Sequence, residues 1–214
     1  MKNISKSLIA YFVGNVFVIP FIASLFEGNL YIYILMISTL LLTLYLIRIN
    51  IDAFQDGLRK IMNMCDNIIV LGLVSLVILI VSIVFSYLKY RLGINESSGN
   101  VSLISKFYQN QFLIGIYITI LAPIMEEIIF KHIAINNLSF IKNRFIKIVI
   151  ISLLFATMHL LPEIMQLNME VCIDMMNYMI FGMLTSLVYV RYASNIYSVI
   201  FIHALCNLTT LILM

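Results

Sequence analysis

The chain has 214 residues, of which 63% are hydrophobic and 11% are charged, and its formal net charge is +3. Soluble domains are about half apolar and roughly one quarter charged, so this composition excludes an ordinary soluble globule. The apolar residues form long solid runs rather than segments of alternating polarity, which excludes an outer-membrane β-barrel. The sequence therefore predicts an all-α protein, a polytopic bundle of transmembrane helices.

Hydropathy predicts seven spans, at residues 7–26, 29–47, 68–88, 111–136, 145–163, 171–190 and 196–214. The first apolar run is too long for the core of a signal peptide, so we expect it to be a retained span. The connection 48–67 is polar enough to form an interfacial amphipathic helix. The connection 89–110 contains a polar cluster of Gly, Asn and Ser at residues 95–100.

Lysine and arginine are divided unequally between the two sides of the predicted bundle. With the N-terminus in the cytoplasm, ten of the 13 fall on the cytoplasmic side, namely Lys2, Lys6, Arg48, Arg59, Lys60, Lys131, Lys142, Arg144, Lys147 and Arg191. Only Lys89, Arg91 and Lys106 fall on the other side. Because positive residues are retained in the cytoplasm, the N-terminus is predicted to be cytoplasmic. The small net charge forms no separate basic patch, so the bilayer is an expected partner and nucleic acid is not.

Ionisable and amide side chains cluster in three of the predicted spans. Glu126 and Glu127 lie near the midpoint of the fourth span, His159 lies in the fifth, and His203 and Asn207 lie in the seventh. A charge near the bilayer centre costs on the order of 3 kcal/mol, so such residues are candidates for a functional site. A rise of about 1.5 Å per residue, with ordinary tilt, brings both histidines to the level of Glu126.

Helical spacing orients these groups. Glu127 and Lys131 are four residues apart, which predicts that Lys131 neutralises Glu127. Glu126 then lies about 100° further round the helix and projects into a cavity, where it is available as a base. Pro123 removes the helical hydrogen bond to the carbonyl of Thr119, which predicts a kink that opens room beside the glutamates.

A carboxylate, two histidines and an asparagine in a membrane cavity suit the hydrolysis of an amide. The carboxylate takes a proton from water, and imidazole or amide groups stabilise the oxyanion, directly or through a zinc ion. Asp174 and Asn177 share one face near the start of the sixth span, where they either line a water entry or form an ordinary interfacial helix end.

Each of these features also has a plainer interpretation. The two glutamates would be interfacial if the fourth span ended at Phe130. His159 would be a buried histidine bonded to a carbonyl, and His203 with Asn207 would join helices without chemistry. A proton relay or small transporter would also use such residues, but it predicts repeat symmetry, which this sequence does not show.

Three elements resemble the signature motifs of the CPBP family: Glu126-Glu127-x-x-x-Lys131, Phe155-x-x-x-His159 and His203-x-x-x-Asn207. That family comprises CAAX prenyl endopeptidases of the Rce1 type and bacterial bacteriocin-processing or self-immunity proteins, also called Abi. The preceding Pro123 is also similar to the family pattern. Lys131 departs from the pattern, since the family usually has arginine there, and lysine is a point charge rather than a bidentate clamp.

The resemblance implies an intramembrane endopeptidase, with residues 1–110 as N-terminal helices and residues 111–214 as the catalytic core of one membrane unit. It assigns Glu126 as the base and Glu127 as its partner. His159 would act on the water or the metal, and His203 with Asn207 would form the oxyanion site. Lys131 and Pro123 would give structural support. Glu126, His159 and His203 would be the ligands if zinc is used.

The resemblance also implies a cytoplasmic opening of the active site and a peptide or membrane-protein substrate. Because members of the family often have eight spans, it gives eight as the alternative to seven. A bacterial plasma membrane is expected, with roles in bacteriocin or pheromone maturation or in self-immunity. A non-catalytic scaffold of the same fold that regulates a partner protein is the alternative.

Overall fold

The computed structural model describes residues 2–94, 111–138, 140–161, 163–166, 168–192 and 194–213. Within these ranges every regular element is a helix. The polar cluster at residues 95–100 and Lys106, which entered the orientation argument, lie outside the described residues.

Two long helices and two short ones precede the third long helix. The first, α1, joins Lys2–Ile9, a π-helical stretch Ala10–Val18, and Ile19–Ser24. Helix α2 is Gly28–Ile49, α3 is Ile51–Arg59, α4 is Ile61–Asp66 and α5 is Ile68–Arg91. The predicted interfacial helix is thus two short helices, α3 and α4.

Four long helices follow. Helix α6 joins Gln111–Ile116, Ala122–Glu127 and Ala134–Asn137 through two π-helical stretches, Tyr117–Leu121 and Ile128–Ile133. Helix α7 is Arg144–His159, α8 is Met169–Arg191 and α9 is Ile196–Leu213, with a short 3-10 helix Ile164–Gln166 before α8. Helix α6 continues past Phe130 to Asn137, and Glu127 on it is fully buried, which does not favour the interpretation that this span ends at Phe130.

The helices have the length and surface of a membrane bundle. Among the described residues, five helices are long and apolar enough to cross a membrane: Asn3–Ser24, Gly28–Ile49, Ile68–Arg91, Phe112–Asn137 and Met169–Arg191. Large apolar side chains such as Phe21, Leu41 and Ile83 are exposed on the outer helices, as is expected where lipid replaces water. The predicted all-α membrane bundle is confirmed. Helices α1, α2 and α5 to α9 lie at the positions of the seven predicted segments, and α7 and α9 are not among the five candidate spans.

Helix α7 is shorter than predicted, because it ends at His159 rather than at residue 163. The sequence has a proline at position 162, and the residue before a proline is disfavoured in the helical region. His159 therefore lies at the last residue of its helix.

The bundle has two ends, which hydrogen bonds define. At the amino-terminal end, Asn3 Nδ2 donates to the carbonyl of Ile49 at 2.8 Å, and Asn195 Nδ2 donates to the carbonyl of Lys60 at 3.2 Å. These contacts join the starts of α1 and α9 to the ends of α2 and α3.

At the opposite end, the last turn of α5 meets the start of α8. Lys89 Nζ lies 3.0 Å from Asp174 Oδ1, and the two side chains are only 6% and 13% exposed. A largely buried ion pair of this kind fixes the two helix ends relative to each other, because separating it would leave uncompensated charges.

Helices α7 and α8 approach closely at Gly182. A Cβ at this position would lie 3.1 Å from both the Cα and the Cβ of Ser152. One turn from Ser152, the ring of Phe155 stacks on Phe181 with centroids 5.5 Å apart. The small residue thus sets the distance between the two helices where α7 carries His159.

Candidate active site

Three ionisable side chains from three helices meet at one point. Glu126 Oε2, from α6, lies 3.5 Å from Nε2 of His159 on α7 and 3.7 Å from Nε2 of His203 on α9. The three side chains are 14%, 19% and 5% exposed, respectively. The fold therefore brings together the candidate base and both candidate histidines, which are up to 77 positions apart in the sequence.

The meeting point forms part of a cavity of about 320 Å³. This volume is at the lower end of the range of roughly 300 to 1,000 Å³ that is typical of small-ligand sites. The cavity is lined by residues of α5 to α9, among them Ser82, Lys89, Tyr117, Glu126, Phe155, His159, Asp174, Asn177, Tyr178, Phe181, His203 and Asn207. Helices α1 and α2 contribute no described lining residue.

His203 lies between the two glutamates. Its Nδ1 is 2.8 Å from Glu127 Oε1, while its Nε2 faces Glu126. Glu127 is fully buried, and its Oε2 has no hydrogen-bond partner among the described residues. The second glutamate thus orients the histidine of the third motif.

The predicted ion pair between Glu127 and Lys131 is not formed. Lys131 is fully buried, and its Nζ instead donates to the carbonyl of Gly182 at 3.5 Å and lies 5.1 Å from the ring centre of Phe155. The π-helical stretch Ile128–Ile133 begins just after Glu127 and changes the angle between the two residues from that of a regular α-helix. Lys131 therefore supports α8 and an aromatic ring of the site.

Asn207 is held by a carbonyl that Pro123 leaves without a partner. In a π-helix each N–H donates to the carbonyl five residues earlier, and Ala122 N–H donates to Tyr117 in this way. Pro123, which has no N–H, would be the donor to Ile118. Asn207 Nδ2 donates to Ile118 O instead, at 2.8 Å. The sequence predicted that the carbonyl of Thr119 would face Pro123, whereas the π-helical register places the carbonyl of Ile118 there.

Aromatic neighbours hold the two imidazole rings. His159 Nδ1 donates to the carbonyl of Phe155 at 2.9 Å, and its ring stacks on Tyr178 with centroids 4.6 Å apart. His203 packs edge-to-face on Phe181, with centroids 4.7 Å apart. Because a carbonyl only accepts, Nδ1 of His159 carries a hydrogen, and Nε2 is the nitrogen that faces Glu126.

The sequence did not predict that α5 would form one wall of the cavity. Ser82 Oγ donates to Asn177 Oδ1 at 3.2 Å, and Lys89 pairs with Asp174. Of the two interpretations of Asp174 and Asn177, the one in which they line the cavity agrees with the structure. No local signal could identify Lys89, because a lysine at the end of a span is the normal pattern for an interfacial residue.

Glu126, His159 and His203 are the candidate zinc ligands of this site. Zinc in proteins is held by three or four nitrogen, sulfur or oxygen ligands. Within the part of the chain that the structure describes, no group of three or more His, Cys, Asp or Glu side chains is arranged to hold a metal ion. Zinc bound by these three side chains stays a prediction.

Comparison with known proteins identifies the segment that contains all three motifs. Residues 108–209 match the Rce1-like family, described as type II CAAX prenyl endopeptidase Rce1-like. This segment, slightly less than half of the chain, is similar to that family. The recognition of the family from its motifs is confirmed, and the match supports the class of CAAX-protease-like membrane endopeptidases. No curated protein and no solved structure matches the chain.

Proposed function

We propose that this chain is an intramembrane endopeptidase that hydrolyses a peptide bond of a small peptide or a membrane-associated protein. The observation that carries the proposal is the approach of Nε2 of both His159 and His203 to Glu126 Oε2 inside a cavity. The Rce1-like match supports the class of enzyme.

Glu126 is assigned as the general base. Its Oε2 is buried and has no hydrogen-bond partner among the described residues. We assign His159 the neutral tautomer with its hydrogen on Nδ1, so that an Nε2 lone pair lies beside Glu126. A water molecule between these two atoms donates one hydrogen to each and keeps a lone pair for attack. Glu126 takes the proton as the water oxygen attacks the carbonyl carbon, and then delivers it to the leaving amine.

His203 and Asn207 are assigned to the oxyanion that forms on the substrate carbonyl. With Nδ1 donating to Glu127, a doubly protonated His203 presents Nε2–H to the cavity, and the Glu127 carboxylate stabilises its positive charge. Asn207 Nδ2 carries two hydrogens, of which one is bonded to Ile118 and the second is available to the oxyanion. Donors that are oriented in advance are usually the largest single contribution to such catalysis.

We further place the protein in a bacterial plasma membrane with a cytoplasmic N-terminus, on the strength of its ten-to-three division of positive residues. Maturation of a bacteriocin or peptide pheromone, or self-immunity, is the context that the family analogy favours.

The test compares peptide termini in membranes that contain the wild type or Glu126→Gln at matched levels of folded protein. Loss of a general base lowers the rate by about 10² to 10⁴-fold. New termini detected by mass spectrometry should therefore appear with the wild type and be absent with the variant, and they would name the substrate.

Glu27→Gln is the matched control, because Glu27 is exposed and is not among the residues that line the cavity. It should leave the termini unchanged. If Glu126→Gln gives the same termini as the wild type, the enzymatic proposal is wrong. Retention of a cellular phenotype by that variant would then favour the scaffold alternative.

A further inference from the structure

The cavity lies toward one end of the bundle. Helix α5 contributes Ser82 and Lys89 from its second half, and α8 contributes Asp174 and Asn177 from its first half. Helix α7 contributes His159, its final residue. In α5, α7 and α8 these residues lie away from the amino-terminal end of the bundle, whereas Glu126 of α6 and His203 of α9 lie near the middle of their helices.

The direction of the helices fixes which end this is. Helix α5 begins beside α4 at the amino-terminal end and ends at the opposite end, where Lys89 contacts Asp174 at 3.0 Å near the start of α8. Ser86, on the last part of α5, is exposed and also lines the cavity. No described residue of α3 or α4, which lie at the amino-terminal end, lines it.

Positive charge is concentrated at the other end. Among the described residues, nine lysines and arginines lie toward the amino-terminal end, namely Lys2, Lys6, Arg48, Arg59, Lys60, Lys142, Arg144, Lys147 and Arg191, whereas Lys131 is buried within α6. Lys89 and Arg91 lie at the opposite end, where Lys89 is paired with Asp174, and Glu163 and Glu170 add negative charge to that end. The rule that positive residues stay in the cytoplasm therefore directs the amino-terminal end inward and the cavity end outward.

We infer that the cavity is entered from the non-cytoplasmic side of the membrane. The substrate class that follows is an extended peptide segment presented on that side, such as part of an exported peptide or an external segment of a membrane protein. A cytoplasmic opening, which the family resemblance implies, and a cytoplasmic N-terminus cannot both hold in this fold. That the peptide entering the cavity is a substrate rests on the proposed function, whereas the side of entry does not.

The side of entry can be tested by labelling cysteines in intact cells with a maleimide that does not cross membranes. Cys172 is exposed in the first turn of α8, at the cavity end, and serves as the native reporter. In the Cys172→Ala background, Ser86→Cys reports on the cavity wall. Gln55→Cys, on an exposed position of α3, is the matched control for the amino-terminal end.

We expect Cys172→Ala to remove most of the label that the wild type takes up in intact cells, and Ser86→Cys to restore it. Gln55→Cys should be labelled only after the cells are permeabilised. Labelling of Gln55→Cys in intact cells, or of Ser86→Cys only after permeabilisation, would overturn the inference. Labelling does not depend on cleavage, so the labelling experiment tests the side of entry alone. Identical peptide termini in the wild type and Glu126→Gln would refute the enzymatic function and would leave the side of entry unaffected.

Discussion

Glu127→Gln tests whether the second glutamate acts through the charge that it places beside His203. The substitution keeps the size and shape of a fully buried side chain, and the hydrogen bond of 2.8 Å to Nδ1 can still form. What it removes is the negative charge that stabilises a doubly protonated imidazole. The oxyanion donor should therefore become weaker while the substrate still binds.

The size of the effect follows from the hydrogen bond that changes. A hydrogen bond to a charged group contributes about 1.5 to 3 kcal/mol and a neutral one about 0.5 to 1.5 kcal/mol, so the loss is about 1 to 1.5 kcal/mol. At about 1.36 kcal/mol for each factor of ten, kcat should fall roughly 5- to 13-fold with little change in KM. Glu127→Ala should be worse, because it leaves the Nδ1 hydrogen of a buried histidine unpaired.

The assay is steady-state cleavage of the peptide named by terminus profiling, with purified protein in lipid nanodiscs. The kcat values should rank wild type, Glu127→Gln and Glu127→Ala in descending order. An unchanged kcat in Glu127→Gln, or an effect on KM alone, would refute the argument that the Glu127 charge acts on the transition state through His203.

Two further substitutions test the helix geometry around the site. Pro123→Ala supplies a backbone N–H that competes with Asn207 for the carbonyl of Ile118. The loss of one neutral hydrogen bond should lower kcat about 2- to 13-fold, and a kcat equal to that of the wild type would contradict this account of Asn207. Gly182→Ala places its Cβ 3.1 Å from atoms of α7. The cost of overpacking, about 1 to 3 kcal/mol, should outweigh the gain in helix propensity, about 1 kcal/mol, so the melting temperature in detergent should fall. Gly72→Ala, with nothing within 4 Å of its Cβ, should raise it, and a Gly182→Ala protein as stable as this control would contradict the close-packing argument.

Much of the fold and the identity of the candidate residues could be predicted from local sequence. Runs of apolar residues specify helices in lipid because every backbone group must be bonded within its own segment. Glu126 and His203 could be identified as candidate site residues because ionisable side chains are rare in apolar membrane helices. The motif spacing led to the Rce1-like family, which the comparison supports.

The ion pair of Glu127 with Lys131, which is not formed, assumed a regular α-helix in α6. The choice of Thr119 as the carbonyl opposite Pro123 made the same assumption. The π-helical stretches of α6 shift the register, so that Ile118 is the acceptor for Asn207. Local spacing does not reveal such a stretch, because its extra residue is accommodated by packing against neighbouring helices.

The sequence by itself determined which side chains lie within the membrane helices and which end of the chain carries most of the positive charge. Only the tertiary structure decided that His203 lies between Glu126 and Glu127, that Lys131 turns to Gly182, and that α5 forms a wall of the cavity. The reason is physical. The period of a helix fixes which of its residues share a face, whereas contacts between helices depend on the rotation and depth at which each helix packs, and those are set by the whole bundle.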